Sequence, residues 1–318
     1  MKKGPAVFHC ISRIVGGQRL LDDVAKEKLT QMLWKQAAFC GVEVIAYCMM
    51  ANHFHVLVRV APPPPLSDDQ LIERLEGLYG RTGDLTALAR QAVTERGKID
   101  EHIRQKLLER MGDVSVFMKE LKQRFSLWYN GHHERFGTLW AERFKSVLVE
   151  DQPSTLETVA AYLDLNPVRA GVVDDPKDYR CCSYAAALAG HKLAREGFQG
   201  MLSFQGKQSW AAGAAVYRQR LFMRAGTAGQ SGKVVLTKEQ IRAVLARGGE
   251  LSLGEVLRLR VRHLSDGVAL GTRGFVNEVF RLHREQFGSR RKDGARSIRA
   301  LSSLGLMALR DLRVRALG

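Results

Sequence analysis

The spacing of apolar and polar residues divides the first half of the chain into alternating strands and helices. Residues 6–14 are apolar and rich in β-branched side chains, which predicts a first strand that ends at the glycine pair 16–17. Apolar residues recur at near-helical spacing over 22–39, which predicts a helix. Residues 42–48 and 53–60 predict two more strands, and the short segment between them indicates an antiparallel hairpin.

The same pattern continues beyond the prolines at 62–65, which end the third strand. A charged segment over 66–111 has helical spacing, and 114–129 predicts an amphipathic helix with its apolar residues on one side. Residues 143–149 alternate as a fourth strand, and a final helix begins at Ser154 and stops near Asn166, because Pro167 disfavours helix in the residue before it. This order predicts an α+β fold, a ferredoxin-like split βαβ sandwich whose antiparallel sheet carries helices on one face.

Composition changes along the chain predict three regions. Residues 1–190 form the sandwich domain, with a helical insertion at about 61–113. Gly and Ala become frequent after residue 190, which indicates a linker over 191–236. Residues 237–318 are basic with helical spacing, so we expect a mainly helical extension that binds DNA.

The charge balance narrows the class of partner. The chain has 318 residues, with 49 Lys and Arg against 33 Asp and Glu, a net charge of +16. Such a surplus favours a polyanion, either nucleic acid or an acidic membrane surface. No segment approaches the roughly 20 apolar residues of a membrane helix. The five cysteines contain no CxxC pair, which favours a reduced, cytoplasmic protein over a secreted or zinc-binding one.

Two short motifs carry candidate chemistry. His53 and His55 alternate with Phe54 in a predicted strand, so both imidazoles project from one face and could bind the same metal ion. Tyr162 and Asn166 lie four apart on a predicted helix, which suits a nucleophile beside a third ligand. Taken alone, the histidine motif is better explained by an ordinary polar strand face, and the tyrosine motif by an ordinary amphipathic helix.

Three blocks, in this order along the chain, resemble single-tyrosine HUH transposases of the branch called REP-associated tyrosine transposases. The first is Met50 to Val58, MANHFHVLV; the second is Gly137 to Ser146, GTLWAERFKS; the third is Tyr162 to Gly171, YLDLNPVRAG. The N-terminal strand with His9 and Arg13 and the later Tyr179 and Tyr184 extend the match, which covers about residues 5–60 and 114–187. Cys181 and Cys182, the insertion and the long C-terminal region depart from the pattern of that family.

The resemblance implies a metal-dependent enzyme that cleaves and rejoins single-stranded DNA at palindromic, REP-like hairpins. It implies that His53, His55 and Asn166 hold Mg²⁺ or Mn²⁺, and that Tyr162 forms a 5′-phosphotyrosine. The family branch favours a monomer associated with the nucleoid. A dimer, and a tyrosine that serves its own or a neighbouring active site, both remain open.

Basic residues interleaved with aromatics indicate where DNA would bind. The candidate DNA contacts are Arg13, Lys122, Arg124, Arg135, Arg143, Lys145, Arg169, Arg290 and Arg291. Two alternatives to a transposase stay open: a hairpin-binding regulatory protein without cleavage, and an RNA-binding module on the same split βαβ fold. The intact set of four site residues favours the enzyme.

Overall fold

Four strands from the first half of the chain form an antiparallel core sheet. The computed structural model describes residues 4–202, 210–226, 264, 267–298 and 305–310. The strands are Ala6–Arg13 (β1), Val42–Met49 (β2), His53–Val60 (β3) and Lys145–Val149 (β4), in the order β2-β3-β1-β4. β3 pairs antiparallel with both β1 and β2 and lies between them. This is the split βαβ topology, so the predicted α+β fold is confirmed.

One face of this sheet packs against two long helices. These are Asp23–Cys40 (α1) and Val114–His132 (α5), which also contact each other. Phe54 of β3 lies edge-on to Trp140, with ring centroids 5.5 Å apart, and Trp140 in turn contacts Phe125 of α5. Since strand side chains alternate between faces, Phe54 on this side places its neighbours His53 and His55 on the other.

The second face is also covered by a helix, which the one-sided arrangement predicted from the sequence did not include. Pro153–Asp164 (α6) contacts β2 and β3, and its side chains Val159 and Leu163 are buried. The helix begins at Pro153, one residue before the predicted start at Ser154, because a proline is well accommodated in the first turn of a helix. A short helix, Asn166–Arg169 (α7), follows at once.

The segment between β3 and α5 is helical, as predicted. It comprises Asp68–Tyr79 (α2), Asp84–Arg96 (α3) and Glu101–Leu108 (α4). α2 packs on α1 and buries Leu71 and Leu75, and α3 packs on α2. The insertion is therefore a helical layer added to the outside of the sandwich.

The predicted linker is wrong over most of its length. After Ser183–Leu188 (α8), the chain forms two helices, Lys192–Leu202 (α9) and Trp210–Gly226 (α10). α9 packs against β2 and buries Phe198, and α10 buries Tyr217, whose hydroxyl donates to Asp164 Oδ2 at 2.6 Å. These contacts make both helices part of the sandwich domain, because a linker has no buried side chains.

The C-terminal region adds strands to the same sheet, so it is not mainly helical where the structure describes it. Ala269–Gly271 (β5) pairs parallel with β4, and Met307–Leu309 (β7) joins β5 to Arg296–Ser297 (β6). Arg273–Leu282 (α11) packs on β5 and β7. Residues 237–263 of the predicted helical extension lie outside the described residues. No helix among the described residues is both long and apolar enough to span a bilayer.

Candidate active site

The two histidines of the His-x-His motif project from one face of β3, as predicted. The ring centroids of His53 and His55 are 4.9 Å apart. A third histidine joins them from β1, because Ile11 lies opposite His55 in the antiparallel register and His9 lies two residues away on the same face. The rings of His9 and His55 are stacked, with centroids 5.1 Å apart.

Burial keeps all three imidazoles neutral at neutral pH. His9 and His55 are almost fully buried. Loss of hydration lowers the pKa of His9 to about 4 and that of His53 to about 4, and it holds the pKa of His55 well below its usual range with help from the neighbouring His53. A neutral imidazole has one nitrogen with a free lone pair, which is the form that binds a metal ion.

Hydrogen bonds determine which nitrogen of His53 is free. Asn52 Nδ2 donates to the carbonyl of Gly17 at 3.3 Å, so its Oδ1 is the end that faces His53. His53 Nδ1 lies 2.6 Å from Asn52 Oδ1, and an amide oxygen only accepts, so His53 Nδ1 donates. The lone pair of His53 is therefore on Nε2.

Tyr162 lies over the same face of the sheet. Its half-buried ring is edge-on to His55 and His9, with centroid separations of 5.9 and 6.1 Å. The guanidinium of Arg169 lies 3.9 Å from the centroid of the Tyr162 ring and donates to its backbone carbonyl at 3.1 Å. The fold thus brings the predicted nucleophile to the predicted histidines from a position more than 100 residues later in the sequence.

Asn166 keeps its predicted spacing from Tyr162. Leu165 has nearly helical torsions and its N–H donates to Ala161, so the helical path continues from α6 into α7. Asn166 Nδ2 is buried and has no hydrogen-bond partner among the described residues.

The candidate ligands at this site suit a divalent cation bound with moderate affinity. Two neutral imidazoles and the amide oxygen of Asn166 would provide nitrogen and oxygen ligands, a mixture better suited to Mn²⁺ than to Mg²⁺. Over the described ranges, His, Cys, Asp and Glu alone form no group of three arranged to hold a metal. A set of three metal ligands is reached only when the amide of Asn166 is counted with His53 and His55.

The candidate DNA contacts differ in how far their charged groups are available. Lys122 is buried, where its Nζ donates to the carbonyl of Glu142 at 2.8 Å, and Arg291 donates to three backbone carbonyls. Arg124 donates to the carbonyl of Leu78 and Arg135 to that of Thr138. These contacts commit Lys122 and Arg291 to the protein itself, so we remove both from the candidate DNA surface. Arg13, Arg143, Lys145 and Arg290 are exposed.

Sequence reasoning included His9 only as part of the N-terminal strand and gave it no role. Its Nδ1 contacts the carbonyl of Leu264, 255 residues away, and its Nε2 contacts His55. Strand alternation could have placed His9 on the face of His55 once the β1–β3 register was known. No local signal indicates the contact with Leu264.

Comparisons with known proteins give a distant likeness. No protein family and no curated protein matches the sequence. Among solved structures, the chain is similar to a REP-associated tyrosine transposase bound to a REP hairpin, at 15% identity and a TM-score of 0.38. The similarity covers 60% of this chain and 82% of the other.

Proposed function

We propose that this protein cleaves and rejoins single-stranded DNA at hairpin sequences, with Tyr162 as nucleophile. The observation that carries the proposal is the meeting of Tyr162 with the His53–His55 face, at 5.9 Å between the rings of Tyr162 and His55. Three sequence blocks that resemble one transposase family, in the family's order, support the same chemistry. The net charge of +16 is consistent with a nucleic-acid substrate.

The residues have separate roles in the proposed reaction. His53 and His55, through Nε2, and Asn166, through its amide oxygen, would hold a divalent cation, Mg²⁺ or Mn²⁺. When bound, that cation supplies Lewis-acid polarisation of the scissile phosphate. The Tyr162 hydroxyl attacks phosphorus, so that a bond from phosphorus to Oη forms while the bond from phosphorus to the 3′ oxygen breaks. The phenol proton is lost to solvent, and the departing 3′ oxygen is protonated to a hydroxyl.

The covalent product retains the energy needed for rejoining. A 3′-hydroxyl attacks the 5′-phosphotyrosine, restores a phosphodiester and releases the phenol, so no external energy source is required. Arg169 holds the Tyr162 ring from the side of α7. We infer that this contact keeps the hydroxyl oriented between cleavage and rejoining.

A DNA path near the site is supported by one exposed loop. Val15 N–H donates to Leu139 and Ala141 N–H to Arg13, so residues 139–141 lie beside the end of β1, where Arg13 pairs with His53. Phe136, just before this segment, is 95% exposed. An exposed aromatic ring next to Arg135 in the sequence suits stacking on an unpaired base beside a phosphate backbone.

The structure weakens the RNA-binding alternative. RNA-recognition domains of the split βαβ type stack bases on an open face of the sheet. Here α1 and α5 cover one face and α6 covers the other. Experiment is needed to distinguish the proposed nuclease from a protein that binds DNA hairpins without cleaving them.

The test is covalent capture of DNA. Incubation of the full chain with end-labelled single-stranded hairpin DNA and Mn²⁺ should give a protein–DNA adduct that Tyr162→Phe abolishes while hairpin affinity stays nearly unchanged. Tyr79→Phe, an exposed tyrosine in the insertion, is the matched control and should form the adduct normally. Hairpin binding by the wild type without any adduct would support the non-catalytic alternative, and adduct formation by Tyr162→Phe would remove Tyr162 from its role.

A further inference from the structure

A continuous chain of hydrogen bonds leads from the C-terminal region to a candidate metal ligand. His9 Nδ1 lies 2.7 Å from the carbonyl oxygen of Leu264, and His9 Nε2 lies 2.9 Å from His55 Nδ1. Both contacts are buried, and His9 and His55 are 0% and 2% exposed. Neither contact has a direct part in the proposed reaction.

The chemistry of these groups determines which atom is the donor in each of the two hydrogen bonds. A carbonyl oxygen only accepts, so His9 Nδ1 has the proton and donates to Leu264. In the neutral ring of a buried histidine, Nε2 then has the lone pair and must accept from His55 Nδ1. His55 therefore has its proton on Nδ1 and its lone pair on Nε2.

This direction of the hydrogen bonds leaves the lone pair of His55 Nε2 available to a metal ion. Metal-binding histidines usually donate their second ring N–H to a fixed acceptor, which selects the tautomer and the ring orientation. Asn52 is that acceptor for His53. The opposite tautomer of His55 would have a proton on Nε2 and could not bind a cation through that nitrogen.

We propose that His9 is a positioning residue that fixes the tautomer of His55, and that the Leu264 carbonyl holds His9 in place for this purpose. The metal-binding consequence rests on the proposed function, whereas the tautomer itself does not. The C-terminal segment thereby supports the catalytic face of the sheet. Leu264 and His9, which lies in β1, are 255 residues apart in the sequence.

The tautomer can be read directly in the metal-free protein. In long-range ¹H–¹⁵N spectra of the histidine-labelled full chain, with His55 assigned by His55→Gln, we expect the Nδ1–H form. His9→Phe should convert His55 to a mixture containing the Nε2–H form, and His9→Gln, whose amide oxygen can accept, should restore Nδ1–H. An Nε2–H form of His55 in the wild type would overturn the proposal without any variant.

Metal affinity provides the second readout, measured by titration of free Mn²⁺ with electron paramagnetic resonance. We expect His9→Phe to weaken Mn²⁺ binding by about 10- to 100-fold, the usual effect of losing such a partner, and His9→Gln to recover most of it. His132→Phe, an exposed histidine on α5, is the matched control and should bind normally. Equal loss in both His9 variants would instead identify His9 as a ligand and contradict the positioning role. If no adduct forms with DNA but the tautomer follows His9 as expected, the proposed function fails and the positioning role stands.

Discussion

Arg169 contacts Tyr162 twice, through a guanidinium stacked 3.9 Å from the ring centroid and through a hydrogen bond to the backbone carbonyl of Tyr162. The two residues lie on successive helices, α6 and α7, which are joined at Leu165. A planar cation over an aromatic face restricts the rotation of the ring. Arg169 therefore connects the geometry of the α6–α7 junction to the position of the proposed nucleophile.

Replacing Arg169 with Met should slow adduct formation more than it weakens hairpin binding. A cation–π contact contributes about 0.5 to 2 kcal/mol, so we expect the single-turnover rate to fall by about 2- to 30-fold. Arg195→Met is the matched control, because Arg195 also stacks on an aromatic ring, that of Trp210, on helices that do not carry Tyr162. Equal rates for Arg169→Met and the wild type would show that the stack does not position Tyr162.

Tyr217→Phe should destabilise the protein although Tyr217 lies in the predicted linker. Its hydroxyl donates to the buried Asp164 at 2.6 Å, and loss of one partner of a buried hydrogen bond costs about 1 to 3 kcal/mol. The free energy of unfolding measured in urea should fall by that amount, whereas Tyr79→Phe, which removes a hydrogen bond from Arg110 at the exposed surface, should lower it less. An unchanged unfolding free energy would mean that α10 does not pack against α6 in solution.

The sequence predicted those parts of the site that depend on local periodicity. Strand alternation alone placed His53 and His55 on one face, and helical spacing alone placed Asn166 one turn after Tyr162. Both relationships involve residues at most four positions apart. The resemblance to a family then predicted that the two motifs meet. The contact between the rings of Tyr162 and His55 is consistent with that prediction.

Long-range partners could not be predicted from the sequence. Leu264 contributes a backbone carbonyl to His9, and a backbone group has no sequence signature. The linker prediction failed because the glycines around 206–232 dominate the composition of a wider window. Within that window, Tyr217 and Leu221 are fully buried, and they show that α10 is part of the core.

Lys122 should determine part of the pH dependence of the free energy of unfolding, and we do not expect it to contact DNA. Burial lowers the pKa of Lys122 from 10.5 to about 8, so between these values Lys122 binds more protons in the unfolded chain than in the folded one. The contribution of Lys122 to stability should therefore rise with pH from about 8 to 10.5, against the opposite contribution of buried cysteines whose pKa values are raised, and Lys122→Met should remove that rising contribution. Lys119→Met, an exposed lysine on the same helix, should leave it in place. Urea unfolding at pH 7 and pH 10 measures the difference, and an equal change in unfolding free energy in all three proteins would contradict the assignment.

Phe136 should contribute to DNA affinity without contributing to folding. The side chain is 95% exposed, so Phe136→Ala should leave the thermal unfolding temperature unchanged. Stacking of one base on an aromatic ring contributes about 1 to 3 kcal/mol, so affinity for single-stranded hairpin DNA should fall by about 5- to 140-fold. Leu127→Ala removes an apolar side chain that is 69% exposed on α5 and should bind DNA normally.

The salt dependence of binding separates this stacking role from a charge effect. Phe136→Ala removes no charge, so the slope of log affinity against log salt should stay constant, whereas Arg143→Ala should reduce that slope by about one unit if Arg143 contacts a phosphate. Affinity measured by fluorescence anisotropy over a salt series gives both quantities. Normal affinity in Phe136→Ala would place the DNA path elsewhere, and a reduced slope in that variant would show that the loop acts through its arginines and not through the ring.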